Sequence, residues 1–163
     1  MSSSAAPLIL GEFRRTIDER YRVSLPAELI RLLLESEEQE CLLAKEHPGS
    51  LSLWNLRDWG ESLNQGVQLI ESKIAAGRLA GQTIELQRFG RILSTRHRPV
   101  QLAGRGRLLL PEGFREFLGV ESGGEVFVVG AAVCLELWRP DAWFSYLNEQ
   151  IPEFRQLYDR LSG

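Results

Sequence analysis

Arg22-Val-Ser-Leu-Pro26 decides the fold, because Arg107-Leu-Leu-Leu-Pro111 repeats its pattern 85 positions later. Each stretch has an arginine, three mostly apolar residues and a proline. A second match follows downstream at an offset of 84, as Leu51-Ser-Leu-Trp54 with Trp59 and Leu135-Glu-Leu-Trp138 with Trp143. Because tryptophan is rare and all four tryptophans fall into these pairs, the chain contains one structural unit twice.

A single-residue length change is needed to reconcile the two offsets. We place it between Pro26 and Cys41, since the prolines still match at the first offset and the strand-like residues beyond Cys41 are assigned to the second.

The sequence patterns of the two copies predict the same order of elements. Each has a strand, a tight turn, a short strand, a helix and two further strands. Pro26 and Pro111 suit a first helical turn, where a missing N–H costs nothing. For copy one we predict strands at 8–17 and 21–25, a turn around 19–20, a helix from 26, and strands at 41–44 and 51–54. For copy two we predict strands at 100–102 and 107–110, a turn at 104–106, a helix at 111–118 capped by Gly119, and strands at 125–129 and 133–138 around 130–132.

Helical periodicity joins and follows the two copies. Residues 56–74 predict one helix, Gly77 breaks it, and residues 79–92 predict a second. Pro140 opens a last helix, which Pro152 interrupts. We therefore divide the chain into a first repeat at 8–60, a helical linker at 61–93, a second repeat at 94–145 and a C-terminal helix at 146–163.

Composition indicates an ordinary globular protein of 163 residues, with 44% hydrophobic and 25% charged residues and no apolar run approaching the roughly 20 residues that span a bilayer. The net charge is −3, yet the stretch from Arg88 to Pro111 contains six arginines and no acidic residue. Arginine suits phosphate and guanine contacts better than lysine does, so this basic stretch is compatible with a nucleic-acid contact.

The cysteines and histidines do not have the spacing of a zinc site, because the sequence contains no CxxC pair. The two cysteines, Cys41 and Cys134, lie in apolar runs and predict buried free thiols, and there are two histidines. The sequence has no Walker A, HExxH or GxSxG motif, so we predict neither an enzyme nor a metal or other cofactor.

Asp18-Glu-Arg-Tyr-Arg22 followed by Val-Ser-Leu-Pro26 resembles the DxxxR element and following proline of the MraZ family, which belongs to the AbrB/SpoVT class of swapped-hairpin proteins. The order of parts also resembles that family across residues 11–158. Copy two departs from it, because Ala103 stands where the aspartate is expected.

The resemblance implies an α+β fold in which tandem AbrB-like swapped-hairpin units form an intrachain pseudo-dimer barrel with packed helices. Strands this short cannot close a core alone, which also favours interleaved copies. The approximate twofold axis would bring the first strands and their arginines side by side on one face. A two-stranded ribbon of that width can enter the major groove of DNA.

The resemblance further implies a cytoplasmic, nucleoid-associated transcriptional regulator that binds double-stranded DNA. It would form a homo-oligomer, as a ring, and read short tandem repeats upstream of the division and cell-wall gene cluster. We predict no membrane partner and no small-molecule substrate.

The predicted site residues are basic or structural. The predicted DNA contacts are Arg14, Arg15, Arg20, Arg22, Arg96, Arg98, Arg105 and Arg107. The predicted structural motif is Asp18, Arg22, Pro26 and Pro111, with an Asp18–Arg22 ion pair across the turn. For the tryptophans we favour buried positions at strand–helix junctions over stacking platforms for single strands.

Two alternatives of other classes remain open. An oligomeric scaffold could keep the fold and lose DNA binding, which the acidic total and Ala103 favour. The chain could instead be the DNA-binding antitoxin of a toxin–antitoxin pair. A continuous arginine stripe on the assembled face would favour DNA binding over the scaffold.

Overall fold

The structure, a computed structural model, describes residues 7–34 and 40–163. The strands are β1 Ile9–Thr16, β2 Arg22–Ser24, β3 Glu40–Lys45, β4 Ser50–Asn55, β5 His97–Gln101, β6 Arg107–Leu109, β7 Glu125–Ala132 and β8 Leu135–Trp138. The helices are α1 Ala27–Leu33, α2 Leu56–Ala75, α3 Thr83–Arg96, α4 Phe114–Leu118, α5 Pro140–Gln150 and α6 Phe154–Ser162. This order confirms the doubled unit and its mixed α and β content.

The strands of the two copies interleave. Six strands form one antiparallel sheet in the order β1-β7-β8-β4-β3-β5, and β2 pairs with β6 in a separate two-stranded ribbon. Among the described strands, the pairings β3–β4 and β7–β8 stay within one copy. The pairings β1–β7, β3–β5, β4–β8 and β2–β6 all cross between copies. Neither copy therefore completes its own sheet.

An approximate twofold axis relates the copies. It passes between Ser52 and Glu136 in the sheet and between Val23 and Leu108 in the ribbon, because each of these pairs joins equivalent positions. The outer strands obey the same relation. Arg15 and Val100 are equivalent positions, and Arg15 pairs with Val126 just as Val100 pairs with Cys41.

The strand pairing shows that the single-residue length change between the copies lies in the hairpin between the third and fourth strands of each copy. Cys41 is equivalent to Val126, 85 positions later, so our placement between Pro26 and Cys41 is wrong. The β3–β4 turn is closed by the bond from the Glu46 N–H to the Ser50 carbonyl, whereas the β7–β8 turn is closed one residue more tightly, from Ala131 to Cys134. Ala132 has a positive φ of 68° in the tighter turn. The turn predicted at 130–132 consequently lies later, and β7 continues through Ala132.

The six-stranded sheet is open, which corrects the predicted barrel. Within the described part of the chain, β1 and β5 form the two edges, and each has a single neighbour. Our expectation that these first strands lie side by side is also wrong, because four strands separate them. The second strands, β2 and β6, meet on the twofold axis instead. Each has three residues and bonds to the other, so the ribbon does not bridge the sheet edges.

The main core lies between one face of the sheet and the layer formed by the ribbon with α1 and α4. Its fully buried side chains include Val23, Leu108, Leu51, Leu137 and Val128. The opposite sheet face carries a smaller cluster of Phe127, Val129, Trp138 and Trp143, in which α5 supplies Trp143. This alternation of inward and outward side chains is the period-two pattern of strands covered on both faces.

Most helices follow the predicted boundaries, but α3 lies four residues later than the predicted 79–92. The α2 helix ends before Gly77, which has a φ of 72°, and Gly119 caps α4 at a φ of 77°. The predicted start of the second-copy helix at Pro111 is three residues early, because Gly113 has a φ of 85° and α4 begins after it. Pro152 lies in a short 3-10 turn between α5 and α6. No described helix is both long enough and apolar enough to cross a membrane.

Candidate nucleic-acid interface

The ribbon presents one apolar and one polar face. Val23 and Leu108 are opposite each other, fully buried against the core. Side chains alternate along a strand, so the pairs Arg22–Leu109 and Ser24–Arg107 face outward. Beyond the ribbon, the Leu110 N–H donates to the Tyr21 carbonyl and the Leu25 N–H donates to the Gly106 carbonyl. These two equivalent bonds hold a hairpin turn at each end of the ribbon.

The first turn is organised by Asp18. Its Oδ1 accepts the backbone N–H of Arg20 at 2.8 Å and that of Arg22 at 2.9 Å, and its Oδ2 lies 3.0 Å from the Arg22 Nε. The Tyr21 N–H donates to the Asp18 carbonyl, and Tyr21 adopts a left-handed φ of 59°, as in three-residue hairpin loops. The predicted Asp18–Arg22 ion pair is therefore present.

The second turn reaches a similar hairpin without a carboxylate. The Ala103 N–H donates to the Arg107 carbonyl at 2.9 Å, as the Asp18 N–H does to the Arg22 carbonyl. Two consecutive residues, Arg105 and Gly106, have positive φ values of 64° and 73°. The Arg107 Nε donates to the Gly104 carbonyl at 3.4 Å, a weaker contact than the Arg22–Asp18 pair. Arg107 is consequently less constrained than Arg22.

Each turn is backed by the helix of the other copy. The Arg115 guanidinium of α4 lies 4.1 Å from the centre of the Tyr21 ring, and the Tyr21 hydroxyl donates to Glu121 at 3.3 Å. The equivalent contact in the other half is made by Ile30 of α1, which packs on Gly106. Sequence reasoning missed Arg115. The offset of 85 pairs it with Ile30, and an arginine aligned with an apolar residue was the available signal.

Five of the eight predicted arginines gather around the ribbon. Arg22 and Arg107 lie on its outer face, and Arg20 and Arg105 lie in the turns at its two ends. Arg15 reaches its margin, because its Nε donates to the Ser24 carbonyl at 3.1 Å. These guanidinium groups carry donors that match phosphate oxygens and guanine edges.

The other three predicted arginines lie elsewhere. Arg14 lies opposite Phe127 on the sheet face that α5 covers, 3.9 Å from Glu125 and with its guanidinium over the Phe127 ring. Arg96 ends α3 and donates to Glu46 at 3.3 Å. Arg98 is exposed on the edge strand β5.

The two structural prolines occupy equivalent positions at the helix starts. The Pro26 carbonyl accepts the N–H groups of Leu29 and Ile30, and the Pro111 carbonyl accepts those of Phe114 and Arg115. The prolines therefore turn the chain from the ribbon into α1 and toward α4.

Two of the predicted core tryptophans are buried. Trp138 is 4% exposed and Trp143 is 7% exposed. The Trp138 Nε1 donates to Glu136 and the Trp143 Nε1 to Glu12. Trp54 is half-buried, with its Nε1 donating to Ser52, and the Trp59 side chain lies outside the described part. Trp138 and Trp143 thus occupy the predicted junction, which leaves them unsuited to stacking on bases.

The thiols are buried and free, as predicted. Burial raises the pKa of both Cys41 and Cys134 to about 12, so neither is a thiolate at neutral pH. Over residues 7–34 and 40–163, no three potential metal-ligating side chains cluster.

Replacing Asp18 by alanine is expected to lower the melting temperature at neutral pH. The N–H of Arg22, then that of Arg20 and the Arg22 side chain, hold the pKa of Asp18 below its usual value. A lowered carboxyl pKa gives stability that is present above the unfolded pKa of about 3.9 and is lost as the pH falls through the folded value. Thermal unfolding of the wild type and Asp18→Ala from pH 7 to pH 3 should therefore show a difference in melting temperature that narrows below about pH 4.

Glu19→Ala is the matched control, because it removes the same charge from the neighbouring exposed residue. A difference in melting temperature that stays constant down to pH 3, or an equal effect of both substitutions, would contradict the role assigned to the Asp18 carboxylate.

Comparison with known proteins supports a family assignment. Residues 94–162 match the family described as "MraZ protein, putative antitoxin-like". The transcriptional regulator MraZ of Thermus thermophilus is 26% identical over 139 residues, covering 85% of this chain and 87% of the relative. That of Thermoanaerobacter sp. is 24% identical over 154 residues, covering 94% and 96%. That of Caldicellulosiruptor bescii is 24% identical over 143 residues, covering 88% and 89%.

One solved structure also aligns, the solution structure of PHS018 from Pyrococcus horikoshii. It is 11% identical and covers 82% of this chain and 96% of that chain, with a TM-score of 0.33, a value too low to indicate a shared fold.

The fold and the ribbon define a class of proteins in which two copies of one β unit interleave about an approximate twofold axis. Within that class, the DxxxR turn and the alignments over most of the chain make this protein similar to the MraZ family.

Proposed function

We propose that the protein is a sequence-specific DNA-binding transcriptional regulator. The observation that carries the proposal is the outward placement of Arg20, Arg22, Arg105 and Arg107 on one ribbon and its two turns. The relatives named transcriptional regulators support it, and their names describe no catalytic activity.

The ribbon would act by entering the major groove, whose width admits a two-stranded β-ribbon. Asp18 accepts a hydrogen bond from the Nε of Arg22. Within the described contacts, the two terminal amino groups of Arg22 therefore keep their donors for a base edge or a phosphate. The fixed turn would limit the entropy that Arg22 loses on binding. Arg107, held more loosely, would adjust to its contact.

We further propose that the interleaved copies are a swapped-hairpin pseudo-dimer, in which the β1–β2 and β5–β6 hairpins are exchanged. The cross-copy pairings β1–β7 and β3–β5 support this assignment. The repeats would occupy residues 8–60 and 94–145, separated by a helical linker and followed by the C-terminal helix.

One pseudo-dimer offers few phosphate contacts, and its net charge of −3 is unfavourable for DNA. We therefore propose a homo-oligomer, as a ring in the cytoplasm at the nucleoid, that reads several short tandem repeats upstream of the division and cell-wall gene cluster. Linking weak sites raises the effective concentration at each additional repeat and so raises the overall affinity.

A mobility-shift titration with the DNA upstream of the protein's own gene tests the proposal. Fragments with one, two and three repeats are compared at low and moderate salt. We expect binding at low salt whose affinity rises with repeat number and falls as salt is added. No shift at low salt, or affinity indifferent to repeat number, would contradict it.

The scaffold remains the second candidate, because Ala103 leaves the second turn without its carboxylate. A protein that keeps its oligomeric mass but shifts no DNA would favour the scaffold. The family description also contains the word antitoxin-like, and specific capture of a toxic partner protein would favour that reading.

A further inference from the structure

Exposed apolar side chains are concentrated on two helical segments, α2–α3 and α5–α6. Among the described residues, 17 large hydrophobic side chains are exposed, and 12 of them lie on α2–α3 or α5–α6. On α2–α3 they are Leu69, Ile74, Ile84, Phe89 and Ile92. On α5–α6 and the turn between them they are Phe144, Tyr146, Ile151, Phe154, Leu157, Tyr158 and Leu161. Such concentration marks an interaction surface rather than scattered surface residues.

The two helical segments begin at equivalent positions in the two copies. The α2 helix follows β4 and the α5 helix follows β8, and β4 pairs with β8 across the twofold axis. The segments therefore leave the sheet on opposite sides of that axis. One chain consequently carries two separate apolar surfaces.

The α6 helix forms an unpartnered ridge. Phe154, Leu157, Tyr158 and Leu161 follow the spacing i, i+3, i+4 and i+7, which places them on one helix face. None of the residues of α6 is buried, and Leu161 is 76% exposed. An amphipathic helix of this kind gains most of its stability by packing its apolar face.

The α2 and α3 helices leave a groove between them. It has a volume of about 320 Å³ and is lined by Ser62, Leu63, Gly66, Val67, Ile70 and Phe89. A side chain at Gly66 would meet no atom within 4 Å, and α3 has no buried residue. The groove is thus mostly apolar and open, with space above Gly66.

Charge distinguishes the two helical segments. The α2–α3 segment, residues 56–96, has six basic and four acidic side chains, whereas residues 140–163 have two basic and four acidic ones. The first surface is therefore net positive by two charges and the second net negative by two. Contact between unlike segments is electrostatically favourable, and contact between like segments is not.

We propose that the α6 ridge of one copy packs into the α2–α3 groove of a second copy of this chain. The proposal deepens the homo-oligomer part of the proposed function by naming its interface. Each chain has one α6 ridge and one α2–α3 groove, so the contact is heterologous and every copy has two neighbours. Repetition of such a contact gives a closed ring when its rotation closes and a filament otherwise.

Complementary variants test the interface by multi-angle light scattering of the full chain. Leu157→Glu with Leu161→Glu charges the ridge, and Gly66→Leu fills the groove, with Gly66→Ala as its control. We expect each of the two interface variants to be monomeric and Gly66→Ala to keep the wild-type mass. A 1:1 mixture of the ridge and groove variants should give a dimer and no larger species, because each retains one intact surface.

Several results would overturn the proposal. These are a monomeric wild type, a ridge or groove variant of wild-type mass, and a mixture that stays monomeric. Circular dichroism reports whether each variant folds. If Gly66→Leu unfolds, Phe89→Glu on the facing wall replaces it, and truncation after Gln150 replaces the ridge variant.

The same proteins separate this inference from the proposed function. A monomeric ridge variant should bind a single-repeat fragment as the wild type does, but its affinity should no longer rise with the number of repeats. If neither the wild type nor any variant binds DNA while the oligomeric masses are as expected, the DNA-binding proposal alone is contradicted.

Discussion

Gly106→Ala is expected to destabilise the protein by roughly 1–3 kcal/mol, a substantial part of the 5–15 kcal/mol of a typical domain. The position has a φ of 73°, which penalises any Cβ, and an added Cβ would clash with the Cδ1 at the flexible end of Ile30. The Gly106 carbonyl also accepts the Leu25 N–H, so a shift of the turn would weaken the ribbon. Urea unfolding of wild type and variant measures the difference.

Two comparisons isolate the cause. Gly104→Ala, in the same turn, is expected to be near neutral, since its φ is not positive and a Cβ there would meet no atom within 4 Å. Ile30→Ala should relieve part of the clash, so that the double variant is less destabilised than the sum of the two single ones. Equal effects of Gly104→Ala and Gly106→Ala, or strict additivity with Ile30→Ala, would contradict the packing argument.

The equivalent turn shows why glycine is needed at only one of the two positions. Tyr21 occupies the place of Gly106 and also has a positive φ, of 59°. Its ring is accommodated because α4 presents Arg115 there, in a cation–π contact, where α1 presents Ile30 to Gly106. The two turns therefore share their length and closing hydrogen bonds but differ in the conformation of one residue, Arg20 against Arg105, and in side-chain packing.

Much of the fold was predictable because local signals and the repeat agreed. The Arg-x-x-x-Pro and Leu-x-Leu-Trp matches predicted both copies and nearly every element. The open sheet and the pairing of β2 with β6 were not predictable, because strand order depends on contacts distant in sequence. The length change was misplaced for a related reason, since residues 27–40 share little identity with their equivalents and the pairing alone shows their register.

The candidate site was predictable in part. The DxxxR spacing predicted the Asp18–Arg22 pair, since four residues across a hairpin bring the two side chains together. Residue type alone could not separate Arg22, on the ribbon, from Arg14, which lies opposite Phe127 on the sheet. That distinction requires the strand register, because a shift of one residue moves a side chain to the other face.

Arg105→Ala with Arg107→Ala is expected to weaken DNA binding by about 1–3 kcal/mol for each arginine that contacts a base edge, or about 5- to 150-fold each. Both side chains are exposed, and neither forms an ion pair in the described residues, so their loss leaves no carboxylate unpaired. If they contact phosphates instead, the slope of log affinity against log salt should flatten by about 1.8. Fluorescence anisotropy across a salt series measures both quantities.

Arg14→Ala with Arg96→Ala is the matched control, because it removes the same charge from positions away from the ribbon. Long-range electrostatics acts on both variants alike, so only direct contact predicts a difference between them. We expect the control to keep most of its affinity and salt dependence, provided that thermal unfolding shows it folded. Equal losses in the two variants would mean that net charge rather than the ribbon governs binding. A loss confined to the control would move the DNA contact to the sheet face that carries Arg14.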